Sequence, residues 1–362
     1  MPVRPVYILG VFIPAAIVLD LAGAPDTAIF FTAAIGVIPT AALMGRATEE
    51  LAAQSGPGIG GLLNVTFGNA PELIIALFAL GKGLQEVVKA SIVGSIISNC
   101  LLVLGAAMFF GGWKRDKQTF NRTMAHSQAA MLLLALVAIV MPALFELIRG
   151  HGLPAVGDTR VNYGGKVETV SAIVSGVLLV SYGAGLFFSL RTHRELFNPY
   201  LEEDEKDEAA WSVRRSVLVL AAAGAGVALM SELLVGSIEH AAKAVGLSQF
   251  FIGVVVVAIV GNAAEHWVAV LVALKDKMDL AVNIAVGSSA QVALFVAPIL
   301  VLVSFFIGPH PMALVFNGYE VAAMLLAVVI ANFTTQEGES NWFEGLQLLS
   351  VYVVLGVVFA FA

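Results

Sequence analysis

The sequence GNAPE at residues 68–72 returns as GNAAE at residues 261–265, in each case within a long apolar stretch of the chain. The offset is 193 residues, and at the same offset VGS at 93–95 returns as VGS at 286–288. The Glu and the Ser are 23 residues apart in both copies, so the two copies align without a gap. An internal repeat of this kind indicates two related structural units.

The composition is that of a membrane protein. Of the 362 residues, 59% are hydrophobic and only 12% are charged, and the mean hydropathy is +0.91. Soluble domains carry roughly 25% charged residues, so this chain has too little charged surface to stay in solution. The single cysteine, Cys100, excludes an intrachain disulfide, and the net charge of −7 argues against nucleic acid as a partner. We therefore expect the lipid bilayer to be the chain's environment.

Hydropathy predicts an all-α polytopic fold, because each membrane-spanning helix needs about 20 apolar residues. The first apolar run begins close to Met1 and is expected to be a retained helix rather than a cleaved signal. The runs are too long for the strands of a barrel. The eleven predicted spans are 5–22, 27–50, 58–81, 85–111, 124–147, 168–192, 212–242, 247–275, 279–307, 312–333 and 342–361.

The repeat divides these spans into one helix plus two five-helix units. We expect a first transmembrane helix in residues 1–24, a first repeat in 25–195, an acidic cytoplasmic connector in 196–210 and a second repeat in 211–362. Five is odd, so the second unit enters the membrane in the opposite orientation. Inverted repeats are typical of secondary transporters, whose substrate site lies at the repeat interface near the midplane.

The distribution of Lys and Arg predicts the orientation. Twelve of them lie in connections on the side that holds Met1, and six lie on the other side. Arg46 lies inside a predicted span and is not counted. We therefore expect a cytoplasmic N-terminus and an external C-terminus.

Glu72 and Glu265 are the candidate transport residues. A carboxylate inside an apolar span is costly and commonly marks an ion or proton path. The alternative is a protonated structural Glu, but the matched neighbours in both halves favour function. Asn69 and Asn262 each lie three residues before the Glu, on the same helix face. The later helices add further oxygen-bearing side chains at three-residue spacing, although each Ser alone is also compatible with helix packing: Ser95 with Ser98, and Ser288 with Gln291.

Backbone oxygens are further candidate ligands. Pro71 removes the hydrogen bond to the carbonyl of Phe67, and Gly68 adjoins this weak point, so a broken helix is expected here. The second copy has Ala264 instead of Pro71, so Gly261 alone must loosen that helix.

Such oxygen-only ligands favour a hard cation, and Ca²⁺ takes six to eight oxygens in flexible geometry. Paired cysteines and an HExxH motif are absent from the sequence, so zinc is poorly supported. Two carboxylates neutralise a divalent charge and can bind protons instead. Competition between Ca²⁺ and H⁺ for one site is sufficient for antiport, with both ions as substrates and no cofactor.

Three other residues have open roles. His266 follows Glu265 directly, and is either a hydrogen-bonded packing residue or a group that relays protons or orients Glu265. Glu49 and Glu232 occupy similar positions in the two halves, after Thr48 and Ser231. They either line a proton or ion entrance or face the aqueous interface.

The motifs resemble those of the calcium/proton exchanger (cation/proton exchanger) family within the calcium/cation antiporter superfamily. The resemblance is carried by GLLNVTFGNAPELIIALFAL at 61–80 and by GNAAEHWVAVLVALKDKMDLAVNIAVGSSAQ at 261–291. It implies eleven helices in one plus two inverted five-helix repeats, and Ca²⁺ between the paired Glu residues. It also implies an acidic helix between the repeats, and trimers in some members.

The acidic segment has two interpretations, a solvated loop or a cytoplasmic segment that collects or senses cations. Its acidic residues are Glu202, Glu203, Asp204, Glu205, Asp207 and Glu208. The expected function is export of cytosolic Ca²⁺ against H⁺ across the inner (plasma) membrane of a prokaryote. The alternative is a sodium-coupled exchanger on the same scaffold. An enzyme is not expected, because the sequence presents neither a nucleophile–base pair nor a metal-ligand triad.

Overall fold

The computed structural model describes residues 4–55, 60, 63, 66–158, 162–192 and 211–362. Within these parts of the chain, nine helices are long and apolar enough to cross a membrane, and two shorter apolar helices make eleven. This confirms the predicted all-α polytopic fold. In chain order the helices are α1 Val6–Leu21, α2 Asp26–Gln54, α3 Ala70–Gly81, α4 Gln85–Gly112, α5 Arg122–Ile148, α6 Gly165–Phe187, α7 Val213–Val245, α8 Gln249–Leu274, α9 Met278–Val303, α10 Gly318–Thr335 and α11 Trp342–Phe361.

Local sequence signals fix several helix ends. Asn317 is the N-cap of α10 and Asn341 is the N-cap of α11, each in a capping box with the Glu three residues later. Gly246 ends α7 in the left-handed conformation, with φ of 71°. A short antiparallel pair, β1 Gln118–Thr119 with β2 Glu339–Ser340, joins the connection before α5 to the connection before α11.

The prediction was wrong at the junction of the ninth and tenth spans. α9 ends at Val303 rather than near 307, and α10 begins at Gly318 rather than at 312. The segment Met312–Phe316 is apolar and fully buried, which produced the helical prediction, but it is not helical. Side chains from other elements satisfy its backbone: Ser304 Oγ accepts from Met312 N, Ser171 Oγ accepts from Leu314 N, and Lys89 Nζ donates to Val315 O.

Helices of one half pack against helices of the other half, and repeat-related helices have repeat-related partners. α3 packs against α7, and its repeat-related counterpart α8 packs against α2. Likewise α4 packs against α11, while its counterpart α9 packs against α6. This exchange of contacts is the arrangement that a two-fold relation between five-helix units produces.

The most buried helices are α4 and α9, which begin at Gln85 and Met278, exactly one repeat offset apart. By contrast, α6 and α11 are the least buried and expose large apolar side chains, such as Val180 and Val353. Exposed apolar faces of this size are suited to lipid contact. The core therefore lies at the interface of the halves, around α3, α4, α8 and α9.

Candidate cation transport site

The first motif sits at a helix interruption. Residues 66–68 are helical, Asn69 has φ of −94° and ψ of 16°, and α3 begins at Ala70. Pro71 lies in the first turn of α3, where its missing N–H is tolerated in the helix that it begins. The carbonyl of Phe67 therefore lacks the helical partner that a non-proline residue 71 would provide.

The second motif differs from the first. α8 is α-helical without interruption from Ala258 to Leu274, so the loosening expected at Gly261 is not found and its carbonyl lies in a regular hydrogen-bonded turn. The irregularity in this half lies one turn earlier, as a π-helical stretch at Ile252–Val257. Without a proline in the motif, one glycine is insufficient to break the helix.

The two motifs cross so that each glutamate lies against the glycine of the other motif. A methyl group on Gly261 would lie 3.1 Å from Cγ of Glu72, and one on Gly68 would lie 3.7 Å from Oε1 of Glu265. The two carboxyl groups are close enough to interact electrostatically. The fold thus brings together the two carboxylates that lie 193 residues apart in the sequence.

The asparagines and serines are also paired across the halves. Asn262 Nδ2 donates to Ser95 Oγ at 3.0 Å, and Ser288 Oγ lies 3.0 Å from Asn69 Oδ1. Asn69 Nδ2 in addition donates to Gln291 Oε1 at 2.6 Å. Each Asn of one GNA motif therefore contacts the Ser of the other half's VGS motif.

Ser288 links Asn69 to Glu265, because its Oγ also lies 2.9 Å from Glu265 Oε2. A hydroxyl has one hydrogen and cannot donate to both acceptors at once. All three groups are satisfied together when Glu265 carries a proton and donates it to Ser288, which then donates to Asn69. The geometry is therefore suited to a protonated Glu265.

Glu72 has the opposite character. Both of its carboxylate oxygens are buried, and neither accepts a hydrogen bond from another described residue; the same holds for Asn262 Oδ1. A buried, unpaired carboxylate is strongly unfavourable unless a cation or a proton compensates it. Three unpartnered oxygens in a site with two carboxylates are the donor set expected for a hard cation.

His266 contacts a residue that the sequence analysis missed. Its Nε2 lies 3.1 Å from Oδ1 of Asn99 on α4. The pair belongs to one half only, because the residue at the equivalent position to His266 is Leu73. The signal was present in the sequence, since Asn99 lies four residues after Ser95, on the same helix face. Asn99 itself lies in a π-helical stretch, Ser98–Val103, and α9 has a corresponding stretch at Val292–Val296. Such irregular turns are frequent at functional sites.

The remaining predicted residues are not brought to the paired carboxylates. Glu49 and Glu232 are exposed on α2 and α7, while Thr48 and Ser231 are buried and bond to the carbonyls one turn back in their own helices. Ser98 bonds to the carbonyl of Ser95. The acidic residues 202–208 lie outside the described residues. Clusters of three or more His, Cys, Asp or Glu side chains do not occur in the described parts of the chain.

The exchanged helix contacts and the crossed carboxylates define an integral membrane transporter built from inverted repeats. The sequence signature of the sodium/calcium exchanger protein family matches residues 26–191 and 215–361, so the chain belongs to that family.

Two similar proteins place it more narrowly, and a third shares its fold. The chain is similar to the Ca²⁺/H⁺ antiporter of Aphanothece halophytica, with 42% identity over 98% of this chain and 95% of the relative. It is similar to the crystal structure of the Ca²⁺/H⁺ antiporter protein YfkE, with 39% identity, a TM-score of 0.82 and coverage of 99% of this chain and 100% of the other. The sodium-calcium exchanger NCX_Mj shares the fold, at 18% identity and a TM-score of 0.52 over 90% of this chain and 95% of that one. The family expected from the motifs is thereby confirmed.

Proposed function

We propose that this protein exchanges Ca²⁺ for H⁺ by alternating access, with Glu72 and Glu265 binding either Ca²⁺ or protons. The observation that carries the proposal is the buried carboxylate of Glu72, which has no donor on another described residue and lies in the same site as Glu265. Two carboxylates neutralise a divalent cation, and protons are the other species that can neutralise them. The names of the similar Ca²⁺/H⁺ antiporters support the same ion pair.

The proposed ligand set follows the crossed geometry. Ca²⁺ is bound by the two carboxylates, with Asn69, Asn262 and backbone carbonyls as neutral oxygen ligands. Pro71 leaves the carbonyl of Phe67 available at the helix interruption, with that of Gly68 next to it, whereas that of Gly261 is engaged within α8. Further polar groups hold or complete this set: Ser95, Ser288 and Gln291.

His266 has the role of a positioning group in this proposal. Its bond to Asn99 ties α8 to α4 directly beside Glu265, which supports orientation of the carboxylate more than direct proton relay. Glu49 and Glu232, exposed on the two repeat-related helices α2 and α7, are proposed as residues of the aqueous entrances.

Organisation and location complete the proposal. The two repeats are taken as residues 25–195 and 211–362, which is supported by the separate family matches at 26–191 and 215–361. The acidic connector at 196–210 lies between them. The excess of Lys and Arg on the side of Met1 supports a cytoplasmic N-terminus in a prokaryotic plasma membrane, and export is then the direction of Ca²⁺ movement.

The test is ⁴⁵Ca²⁺ uptake by purified protein in sealed proteoliposomes with an acidic interior and without sodium. We expect accumulation that collapses when a protonophore removes the pH gradient. Glu72→Gln and Glu265→Gln keep the side-chain shape but bind no proton and carry no charge, so each is expected to abolish exchange. Glu337→Gln removes the same charge from an exposed loop and is the matched control.

Two results oppose the proposal. Near-normal exchange by either site variant would remove the carboxylates from the mechanism. Uptake that follows a sodium gradient and ignores the pH gradient would instead establish the sodium-coupled alternative.

A further inference from the structure

A pair of amide side chains, one buried and one half-buried, lies next to the transport site but outside the residues that the site uses. Gln128 on α5 donates from Nε2 to Oδ1 of Asn283 on α9, at 2.5 Å. Gln128 is 7% exposed, and its Oε1 is buried without a partner among the described residues. Because Gln128 is buried, its amide would be costly to leave without this bond.

The pair is placed at the turn that presents Ser288. Asn283 is the first residue of a π-helical stretch, Asn283–Gly287, which ends immediately before Ser288. A methyl group on Gly287 would lie 3.1 Å from Asn283 Oδ1 and 3.4 Å from Gln128 Nε2. The amide pair therefore packs over the glycine that precedes Ser288 in the chain.

The first half of the protein lacks this arrangement. The residue equivalent to Asn283 is Ala90, and the chain from Ala90 through Gly94 is regular α-helix. Gly94 packs against the backbone of Val254 on α8 instead of against an amide pair. The serines differ accordingly: Ser95 contacts Asn262, whereas Ser288 contacts both Asn69 and Glu265.

We propose that Gln128 and Asn283 form a positioning pair that holds the π-helical turn before Ser288, and through Ser288 sets the position of Glu265 and the affinity for the cation. Loss of the bond lets this turn relax, and the contact between Ser288 and Glu265 is then lost or lengthened. Because Ca²⁺ accepts longer and more variable oxygen distances than smaller divalent ions, relaxation changes the preference among divalent cations as well. This inference rests on the proposed Ca²⁺/H⁺ exchange.

The experiment uses Gln128→Met and Asn283→Leu, which keep side-chain volume and remove one amide each, together with the double variant. The KM and maximal rate of uptake are measured for Ca²⁺ and for Mn²⁺ in proteoliposomes under the same pH gradient. We expect the KM for Ca²⁺ to rise about threefold to tenfold, the equivalent of one lost hydrogen bond, with a smaller change in maximal rate. We also expect the ratio of the KM for Ca²⁺ to the KM for Mn²⁺ to change. The KM for Ca²⁺ of the double variant should not exceed that of the single variant with the higher KM.

The matched control is Gln85→Met. Gln85 is also buried, at the start of α4 ten residues before Ser95, and its Nε2 donates to His310 O at 2.7 Å, outside both motifs. This variant loses one buried amide bond, so it lowers thermal stability but leaves both KM values unchanged. Equal KM values in Gln128→Met and in wild type, or equal KM effects in Gln85→Met, would overturn the inference. Absence of pH-driven uptake by the wild type would instead refute the proposed function itself.

Discussion

The side chain of Glu72 on α3 lies directly against Gly261 on α8, with Cγ 3.1 Å from the place that a methyl group on Gly261 would take. The glycine of the second motif thus makes room for the carboxylate of the first. In the reverse contact, a methyl group on Gly68 would lie 3.7 Å from Oε1 of Glu265, which is an ordinary van der Waals separation. The two contacts are related by the repeat but are not equally tight, and this difference can be tested.

Gly261→Ala is expected to lower Ca²⁺ uptake roughly tenfold or more, because a displaced carboxylate loses its alignment with the other ligands. Alanine is a better helix former than glycine, so the same change should not destabilise α8. Gly68→Ala is the matched variant and should have a much smaller effect. The initial rate of Ca²⁺ uptake and the thermal stability are measured for both variants. Equal uptake rates in the two variants would contradict the crossed packing.

The asparagines provide a second prediction. Asn69→Ala and Asn262→Ala should each raise the KM for Ca²⁺ about threefold to tenfold and leave coupling intact, because neither side chain carries a titratable proton. Asn69 is expected to have the larger effect, since both of its partners, Ser288 and Gln291, are side chains of the other half. One of the two partners of Asn262 is the carbonyl of Ala258 in its own helix.

Coupling is measured as protons released per Ca²⁺ taken up, with a pH-sensitive dye in the same vesicles. Loss of proton coupling with unchanged Ca²⁺ affinity would show that the asparagines belong to the proton path rather than to the cation site.

The proximity of the two motifs could be predicted from the sequence because the internal repeat pairs them. The 193-residue offset pairs Glu72 with Glu265 and predicts that the two motifs form one site. The structure places the two carboxyl groups close together. The sequence did not identify Asn99 or Gln128, because neither has a polar counterpart in the other half, where the equivalent residues are Val292 and Val321. Their roles depend on which helices pack together, which hydropathy does not encode.

The non-helical segment Met312–Phe316 was mispredicted for a related reason. Five apolar residues in a row have the same hydropathy in a helix and in a buried extended segment. What decides between them is the supply of partners for the backbone, here Ser304, Ser171 and Lys89 from distant positions in the chain. Such partners are visible only in the folded structure.

The acidic connector supports a third prediction. Replacing the carboxylates of residues 202–208 by Gln and Asn should raise the apparent KM for Ca²⁺ at low ionic strength and leave the maximal rate nearly unchanged. The segment has no counterpart within either repeat, so it cannot belong to the symmetric site, and its charges act by concentrating Ca²⁺ nearby.

Salt provides the control, because screening shortens the range of these charges to about 8 Å at physiological ionic strength. The difference from wild type should shrink as salt is added. Complete loss of transport at saturating Ca²⁺ would instead make the segment a required part of the cycle.

A fourth prediction concerns the buried ammonium of Lys89, which is 7% exposed and donates to Val315 O at 2.8 Å. It also attracts the carboxylate of Glu320, which is 2% exposed and whose Oε1 has no partner among the described residues. Lys89→Met leaves this carboxylate buried without a cation and the carbonyl of Val315 without a donor. We expect a loss of about 1–3 kcal/mol in stability, the usual cost of leaving a buried hydrogen-bonding group without its partner.

The buried thiol of Cys100, the only cysteine in the sequence, reports this unfolding through its labelling by a maleimide dye on heating in detergent. Lys243→Met is the matched control, because Lys243 pairs with Glu239 on an exposed helix face and such pairs contribute little. Adding Glu320→Gln to Lys89→Met removes the uncompensated charge and should restore part of the lost stability. If the double variant unfolds at a lower temperature than Lys89→Met alone, the capping bonds of Glu320 to Asn317 matter more than its attraction to Lys89, and the electrostatic explanation has to be abandoned.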